Sequence, residues 1–459
     1  MSQLPSFETA LEAMQERMQQ LPDMAPPSDL SAEERTRRAT ATFVANIDAR
    51  TAGYLESCIH CGHCAQACHF YLTTSDPRYT PVYKLDLFRR TYRREASPLR
   101  WLHRLFTPAV SAEDLENWQE LVFDSCTMCG RCTMVCPMGI DIAGLVHTAR
   151  GALSAAGLTP AAIRAIEAEQ VGKDTVFGAS PAKLREIIET LQEQEGIEIP
   201  LDRAHAEILV LTSGLDIVMN PRGILSTARI LNHLGVDWTL RSDGYESINF
   251  GAQTGNEAAH IAVARRRIET AKACGAKTVL LCECGHTYPA LRWTESLDDG
   301  PLPFEVVYIS DFLGREVRSG RLQLARSEGS ACFHDPCKTG RMGGLFEQPR
   351  AVLEAMGIEI RETPNHQLAN FCCGGGGAVF LLQSAMPLRR GVYRLKIEQF
   401  EASGADKVVT ACGSCRLNFA SAAQLHDKWD KPIESLVELA ADNLPNHGAV
   451  GEESWRRPG

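Results

Sequence analysis

Two stretches of the sequence carry the same cysteine pattern: CIHCGHCAQAC at residues 58–68 and CTMCGRCTMVCP at residues 126–137. In each stretch, three cysteines are separated by two residues, and a fourth follows after three more. Three thiolates presented by one tight loop can cap three irons of a cubic cluster, and the fourth ligand must come from elsewhere in the chain. The doubled pattern therefore predicts two iron–sulfur clusters within residues 51–150.

The spacing is that of bacterial ferredoxin loops, in which the fourth ligand of each cluster comes from the other loop. We therefore expect two neighbouring cubane [4Fe–4S] clusters: Cys58, Cys61, Cys64 and Cys136 hold one, and Cys126, Cys129, Cys132 and Cys68 hold the other. Structural zinc is the alternative, but it requires four ligands in C-x2-C pairs rather than this doubled run. His69 stands where Pro137 follows the other motif, which alters the loop but keeps the Cys68 thiolate.

The composition agrees with a metal protein in a reducing compartment. The chain has 459 residues and 17 cysteines, so it is long enough to fold without disulfides. Its N-terminus lacks the build of a signal peptide, and no stretch approaches the roughly 18 apolar residues of a membrane-spanning helix. The net charge of -10 disfavours nucleic acid as a partner. We expect a cytoplasmic protein without a membrane span of its own.

The rest of the chain divides by composition and hydrophobic pattern. We expect an N-terminal helical arm (1–50), the two-cluster domain (51–150), a helical connector (151–204), two α/β units (205–325 and 326–445) and a tail (446–459). Short β-branched runs at 208–211, 278–281, 306–309 and 407–410 alternate with amphipathic helices, which indicates mostly parallel strands. The basic run Arg89, Arg90, Arg93 and Arg94 is either a solvated helix face or a docking patch for an acidic partner.

The two α/β units resemble each other in sequence. KACGAKTVLLCE at 272–283 aligns without a gap on EASGADKVVTAC at 401–412, and NFGA at 249–252 aligns on NFCC at 370–373. Each pair places a helix end, a glycine turn and a strand in the same order. The C-terminal region is therefore predicted to be a duplicated α/β unit.

The second unit carries another set of cysteines: Cys337, the vicinal pair Cys372 and Cys373, and the pair Cys412 and Cys415. Each group follows a predicted strand, and the carboxyl ends of parallel strands meet at one edge of the sheet. Five thiols that include an adjacent pair suggest an unusual cluster. The glycines at 374–377 allow the backbone to approach and offer N–H groups to the sulfurs; a phosphate loop is disfavoured because no Lys-Ser/Thr follows.

The pattern Cys337, Cys372-Cys373-Gly374 and Cys412-x2-Cys415 resembles the CCG domain of the heterodisulfide reductase catalytic subunit family. More narrowly, Cys68-His-Phe-Tyr-Leu, Asn249-Phe-Gly and Glu283-Cys-Gly-His286 resemble the K subunit of the sulfite-reduction-associated membrane complex (DsrK) and its hydrogenase-associated relatives. The resemblance implies an α+β multidomain fold: a mainly helical two-cluster ferredoxin-like domain followed by a duplicated α/β CCG-type domain. It also implies a non-cubane [4Fe–4S] cluster that reduces a disulfide, beside a haem b membrane subunit.

The first α/β unit departs from that pattern. By the alignment, Gly251 and Ala252 replace the cysteine pair, and Glu283 and His286 replace Cys412 and Cys415, so we expect the first unit to have lost its cluster. Cys284 and His286 then become catalytic candidates: a thiol and an imidazole beside a cluster can form a mixed disulfide or deliver protons. The alternative is that they fill a vacated pocket. Cys274 and Cys332 are interpreted as small buried apolar residues.

Two functions fit these features. Disulfide reduction needs two electrons at one point, whereas cubes pass one electron each, which favours a thiol–disulfide oxidoreductase that exchanges electrons with a membrane quinone through a haem b subunit. The alternative is an electron relay between a partner enzyme, such as a [NiFe] hydrogenase, and the membrane subunit. A sulfur-carrier protein is a further candidate partner. In either case we expect a peripheral position on the cytoplasmic face of the membrane, held there by the partner.

Overall fold

The structure is a computed structural model that describes residues 6–26, 28–294, 300–425 and 429–445; the predicted tail, 446–459, lies outside the described residues. Within the described residues, thirteen α-helices precede the first strand: α1 (Phe7–Gln20), α2 (Ala32–Ala45), α3 (Ala49–Ser57), α4 (His63–Ala67), α5 (His69–Thr74), α6 (Pro81–Lys84), α7 (Asp86–Glu95), α8 (Arg100–Phe106), α9 (Ala112–Gln119), α10 (Arg131–Met134), α11 (Ile142–Ala155), α12 (Ala161–Lys173) and α13 (Pro181–Glu195).

Short polar side chains start several of these helices. Ser31 and Asp48 accept backbone N–H groups at the beginnings of α2 and α3, and Ser111 forms a reciprocal capping box with Asp114 at the start of α9. Helix α2 packs against α7, α9 and α11, where its Phe43 lies 4.9 Å from the ring of Phe88. The N-terminal arm is therefore part of the core that surrounds the two cysteine motifs.

Two four-stranded parallel sheets follow. The first has the order β2-β1-β3-β4, with β1 (Ile208–Leu211), β2 (Trp238–Leu240), β3 (Thr278–Leu281) and β4 (Glu305–Tyr308). The second has the order β6-β5-β7-β8, with β5 (Ser330–His334), β6 (Glu359–Ile360), β7 (Lys407–Thr410) and β8 (Ile433–Ser435). The predicted runs at 208–211, 278–281 and 407–410 are strands as written, and the fourth begins one residue earlier.

Ten helices complete these two units: α14 (Gly214–Met219), α15 (Pro221–His233), α16 (Gly251–Thr254), α17 (Glu257–Cys274), α18 (Thr287–Pro289), α19 (Ile309–Arg318), α20 (Glu347–Ala355), α21 (Met386–Ser403), α22 (Gly413–Gln424) and α23 (Leu436–Asp442). The predicted fold class is confirmed at this level: a mainly helical region is followed by two small parallel sheets with helices. Among the described residues, no helix is both long and apolar enough to cross a membrane.

The two sheets meet at the carboxyl ends of their strands. The hydroxyl of Tyr308, the last residue of β4, donates to the carbonyl of Ala411 just after β7 (2.6 Å). The N–H of Gly413 donates to the carbonyl of Glu283 just after β3 (2.7 Å). Helices α19 and α20 pack against each other across the same boundary, so one apolar core runs through both units. Residues that follow strands in either unit are thereby brought to one place.

Candidate iron–sulfur sites

The two ferredoxin-type loops adopt the same backbone conformation. In the first, His60 and Gly62 have positive φ angles of 54° and 82°; in the second, Met128 and Gly130 have φ angles of 50° and 76°. These residues occupy the same offsets from Cys58 and Cys126. Positive φ is uncommon for side chains such as histidine and methionine, so its repetition marks a specific loop shape. Both loops are thus shaped alike around their three cysteines.

The structure brings the cysteines together in the two crossed sets. One cavity is lined by Cys58, Cys61, Cys64 and Cys136. Burial raises the pKa of the Cys64 thiol, and negative charge on the other three cysteines of this set raises it further. A second cavity is lined by Cys68, Cys126, Cys129 and Cys132. Burial raises the pKa of Cys132, and the other three thiolates of its set act in the same direction.

The two cavities differ in exposure and charge. Cys61 and its neighbour Ile59 are exposed at the first cavity. At the second cavity, the buried ammonium of Lys84 lies 3.9 Å from the sulfur of Cys68 and donates to the carbonyl of Ser125. His69 is also buried there, and burial lowers its pKa to about 4. The first set therefore meets the protein surface, whereas the second lies among buried polar groups.

The five cysteines of the second α/β unit also converge. The Cys372 thiol lies beside those of Cys337 and Cys373, the Cys373 thiol beside that of Cys415, and the Cys415 thiol beside that of Cys412. Cys412 directly precedes α22, and Cys415 lies in its first turn. All of these sulfurs belong to buried residues except that of Cys337, which is half-buried. We call this group the CCG site.

The second ferredoxin-type loop contacts the CCG site directly. Cys129 packs against the buried cluster that contains Cys372, and its thiol lies beside that of Cys372. Two basic residues after Cys337 hold the segments together: the ammonium of Lys338 donates to the carbonyl of Met128 (3.1 Å), and the guanidinium of Arg341 donates to that of Cys129 (2.9 Å). A cysteine of one predicted cluster thus touches a cysteine of the next.

The glycine run at 374–377 serves both the sulfurs and this contact. The N–H of Gly374 points to the sulfur of Cys372 at 3.5 Å. A Cβ on Gly375 would lie 1.9 Å from the amide nitrogen of Asn418, and one on Gly376 would lie 2.9 Å from the carbonyl oxygen of Thr127. No larger residue fits at these two positions, because the run is pressed between α22 and the second ferredoxin-type loop.

Arg150 joins the three parts of the molecule, and its role was missed at the sequence level. Its fully buried guanidinium donates to the carbonyls of Cys126 (2.7 Å), Gln253 (2.8 Å) and Gly377 (2.7 Å). Burial lowers the pKa of Arg150 to about 10. An arginine inside an amphipathic helix such as α11 gives no signal of its partners, because they lie far away in the sequence.

At the corresponding junction of the first unit, the residues that align with cysteines are closely packed. A Cβ on Gly251 would lie 2.2 Å from the backbone nitrogen of His260, so a cysteine does not fit there without moving α17. The carboxylate of Glu283 accepts the N–H of Val437 (3.2 Å), and burial raises the pKa of Glu283 to about 8. Glu246 accepts the N–H of Gly214 (2.7 Å) beside it.

Cys284 and His286 lie between this junction and the CCG site. A Cβ on Gly285 would lie 3.4 Å from the sulfur of Cys412. The Cys284 thiol is 3 % exposed and accepts the hydroxyl of Thr287 (3.4 Å); burial raises its pKa to about 12. The Nε2 of His286 is buried without a hydrogen-bond partner among the described residues, 3.6 Å from where a Cβ on Gly376 would lie.

The remaining cysteines are buried packing residues. Cys274 and Cys332 are at most 1 % exposed, as expected from the sequence. Cys282, which the sequence analysis passed over, is buried 3.9 Å from the hydroxyl of Thr227. None of these three has a sulfur in the contacts described above for the CCG site.

Most of the predicted basic run is already engaged inside the molecule. Arg89 is buried and pairs with Asp86 (3.0 Å), and Arg90 pairs with Asp114. Arg94 donates to two carbonyls at the end of α8. Only Arg93 of the four is exposed. The run is therefore neither a fully solvated face nor a continuous docking patch.

Comparison with known proteins identifies two types of domain in the chain. The family model described as a 4Fe-4S dicluster domain matches residues 54–140, and the one described as a cysteine-rich domain (CCG) matches residues 331–420. Together with the two loops and the CCG site, these matches define an iron–sulfur protein in which a dicluster domain is joined to a CCG domain.

The relatives place it more narrowly. The "Hdr-like menaquinol oxidoreductase iron-sulfur subunit 2" of Archaeoglobus fulgidus is 26% identical over 83% of this chain and 78% of its own length. A subunit of the "Dihydromethanophenazine:CoB--CoM heterodisulfide reductase" of Methanosarcina mazei is 28% identical over 87% and 96%. The "EtfAB:quinone oxidoreductase" of Syntrophomonas wolfei is 25% identical over 79% and 54%. These relatives and the two domain matches confirm the resemblance to the heterodisulfide-reductase-like iron–sulfur subunits.

Proposed function

We propose that this chain is the iron–sulfur subunit of a membrane-associated redox complex, in which it exchanges electrons between a haem b membrane subunit on the quinone pool and a disulfide at the CCG site. The names of its relatives, a menaquinol oxidoreductase subunit and a heterodisulfide reductase subunit, support this role. We place the chain on the cytoplasmic face of the membrane, where a hydrogenase or a sulfur-carrier protein is the proposed further partner.

One observation carries the proposal: the cysteine sites form a continuous series. The first set reaches the surface at Cys61. It shares its two loops with the second set, because Cys68 and Cys136 each complete the set of the other loop. The second set then touches the CCG site through Cys129 and Cys372. An electron that enters at the exposed end has neighbouring cysteine sites all the way to the buried end.

The residues fit the proposed clusters. Each ferredoxin-type cavity is lined by four thiols, the number that a cubane [4Fe–4S] cluster requires. The CCG site has five, with an adjacent pair, for which we propose one non-cubane [4Fe–4S] cluster. When bound, that cluster would supply electrons to a disulfide. The N–H groups of the glycine run would stabilise negative charge on the sulfurs.

The reaction sets what the surrounding residues must do. Two electrons and two protons convert one disulfide into two thiols. We propose that His286, whose Nε2 is buried without a partner among the described residues, positions a departing sulfur. Burial lowers the pKa of His286 to about 4, so its imidazole is neutral in the closed arrangement and protonates that sulfur only after the arriving substrate opens the junction to solvent. Cys284 is the proposed partner for a mixed disulfide. In the closed arrangement its thiol is neutral, because burial raises its pKa to about 12, so this role requires the arriving substrate to open the junction.

We also propose that the two α/β units are copies of one ancestral unit. They share the strand order, and their strands are parallel throughout. Only residues 331–420, within the second unit, carry the CCG match given above. The first unit is then a degenerate copy that keeps the scaffold and forms one wall of the CCG site.

The direct test is reduction of a small asymmetric disulfide by the purified, anaerobically pre-reduced protein. We expect two thiols to be released for every two electrons that the protein loses, and we expect Cys412→Ser to release none. Oxidation of the protein without thiol release would contradict the catalytic role.

An electron relay is the second candidate, and the burial of the CCG site favours it. Cys372, Cys373, Cys412 and Cys415 are each at most 4 % exposed, so a substrate has no access to these four sulfurs in this arrangement; Cys337 is half-buried. As a relay, the chain would pass electrons between a partner such as a [NiFe] hydrogenase and the membrane subunit. The reduced protein would then transfer electrons to a quinone-linked acceptor at full rate while leaving the disulfide intact.

A further inference from the structure

Helix α8 presents an unusual apolar surface. Trp101, Leu105 and Phe106 are 65%, 71% and 80% exposed, and Leu99 just before the helix is 53% exposed. No residue of α8 is buried. A surface helix of a globular protein normally turns its apolar stripe toward the core. In α8 that orientation is reversed.

The reversal arises because the polar side of α8, and not its apolar side, packs against α7. At 100° per residue, Trp101, Leu102, Leu105 and Phe106 form one continuous arc, and Arg100, His103 and Arg104 form the opposite arc. The polar arc faces α7: Arg104 pairs with Glu95 (2.6 Å), and Arg94 donates to the carbonyls of Arg104 (3.1 Å) and Thr107 (2.7 Å). These polar contacts hold the apolar arc outward.

The charge around this arc is positive although the chain as a whole carries -10. Arg93 near the end of α7 and Arg100 and Arg104 on the polar arc of α8 are all exposed, the Arg104 side chain to 53%. Exposed tryptophan, leucine and phenylalanine flanked by arginines are the composition of helices that lie in a membrane interface. The most exposed of these side chains project from the surface, as insertion between lipids requires.

We propose that α8 is an interfacial membrane anchor, with Trp101, Leu105 and Phe106 inserted at the boundary of headgroups and acyl chains. The exposed arginines, Arg93 on α7 and Arg100 and Arg104 on the polar arc, attract anionic headgroups through their charge. The occupant of this surface is the lipid bilayer rather than a protein partner. This inference is independent of the reaction at the CCG site.

Such an anchor would orient the exposed end of the cysteine series. The N-terminal part of α7 contributes Arg89 to the cavity of the first set, and Leu85, just before the helix, lines it too. Helix α8 packs against α7, a helix of about 15 Å. Lipid binding through α8 therefore keeps the Cys61 side of the molecule near the membrane, where an electron-donating membrane subunit would lie.

The test is flotation of the anaerobic full-length protein with vesicles of phosphatidylcholine alone or mixed with phosphatidylglycerol. We expect binding to the mixed vesicles that weakens with salt, because the arginines contribute through charge. The triple variant Trp101→Ser, Leu105→Ser, Phe106→Ser should bind about a hundredfold more weakly, since three apolar side chains no longer enter the interface. Its iron content should stay unchanged.

Met24→Ser is the matched control, because Met24 is 54% exposed and lies in the N-terminal arm; it should bind as the unchanged protein does. A protein that floats with neither vesicle would overturn the proposal. So would a triple variant that keeps its vesicle binding, or one that loses only its association with a membrane subunit in detergent, since that result would assign the surface to a protein partner.

Discussion

The two α/β units share one sheet topology but differ in the residues at the ends of their strands. Both are four parallel strands in the same order, and both end their strands at the boundary between the units. In the second unit the residues after the strands are cysteines that converge on one another. In the first, Gly251 is packed against the backbone of His260, and Glu246 accepts the N–H groups of Gly214 and Ile248 (2.7 and 2.8 Å).

This difference supports the proposal that the first unit is a degenerate copy without a cluster. Close backbone packing and carboxylates occupy its buried strand ends. It nevertheless keeps its contact with the second unit, since the carbonyl of Glu283 accepts the N–H of Gly413 beside Cys412. The first unit therefore forms a wall of the CCG site.

The largest effect is expected at the CCG site of the second unit. Cys412→Ser should remove the C-terminal cluster and lower the iron content from about twelve to about eight per chain, because the two cubes lie on other loops. Iron and sulfide analysis with electron paramagnetic resonance would measure it. Cys332→Ala, a buried cysteine of the same unit outside the CCG contacts, should keep all twelve. Twelve irons in Cys412→Ser would show that this thiol is not a ligand.

A second change separates the CCG site from the loop that it touches. Cys126→Ser should damage one cube and leave the spectrum of the C-terminal cluster present, because the ligand sets belong to separate segments of the chain. Electron paramagnetic resonance of the reduced and oxidised protein distinguishes the two signals. Loss of the C-terminal signal alone would refute the assignment.

The variant Cys284→Ala tests whether the first unit contributes to turnover at the CCG site. If the wall contributes to catalysis, disulfide turnover should fall by at least about a hundredfold with the iron content unchanged. Cys282→Ala is the matched control, since Cys282 is buried two residues away and contacts Thr227 instead. Full turnover in Cys284→Ala would leave Cys284 as a packing residue and favour the relay.

The smallest effect is expected from the buried carboxyl of Glu246 in the first unit. Burial raises the pKa of Glu246 to about 8, above its ordinary value of 4.5, so the neutral carboxyl is favoured in the folded state. Its contribution to stability is full below pH 4.5 and is lost as the pH rises through 8, by at most about 1.4 kcal/mol per pH unit. The denaturation midpoint should therefore fall less between pH 5.5 and pH 8 in Glu246→Gln than in the unchanged protein. Glu198→Gln, at the surface, should show the same fall as the unchanged protein. An equal fall of the midpoint in Glu246→Gln and in the unchanged protein would contradict this account.

The sequence predicted what depends on local pattern. The cysteine spacings indicated the loops around Cys58 and Cys126, and β-branched runs placed three strands at their observed bounds. It did not predict contacts between distant segments, such as Cys129 with Cys372 or the three carbonyls that Arg150 joins. Those contacts depend on how whole units pack, which single residue types do not encode. The orientation of α8 was hidden for the same reason.

The central claim is that three clusters lie in series and that the first α/β unit has none. The most direct test is quantification of iron and acid-labile sulfide in the anaerobically purified, unaltered protein. The account predicts about twelve irons per chain, which is three clusters of four. About sixteen would show that the first unit still holds a cluster, and about eight would show that the CCG site is empty or holds another metal; either result would contradict it.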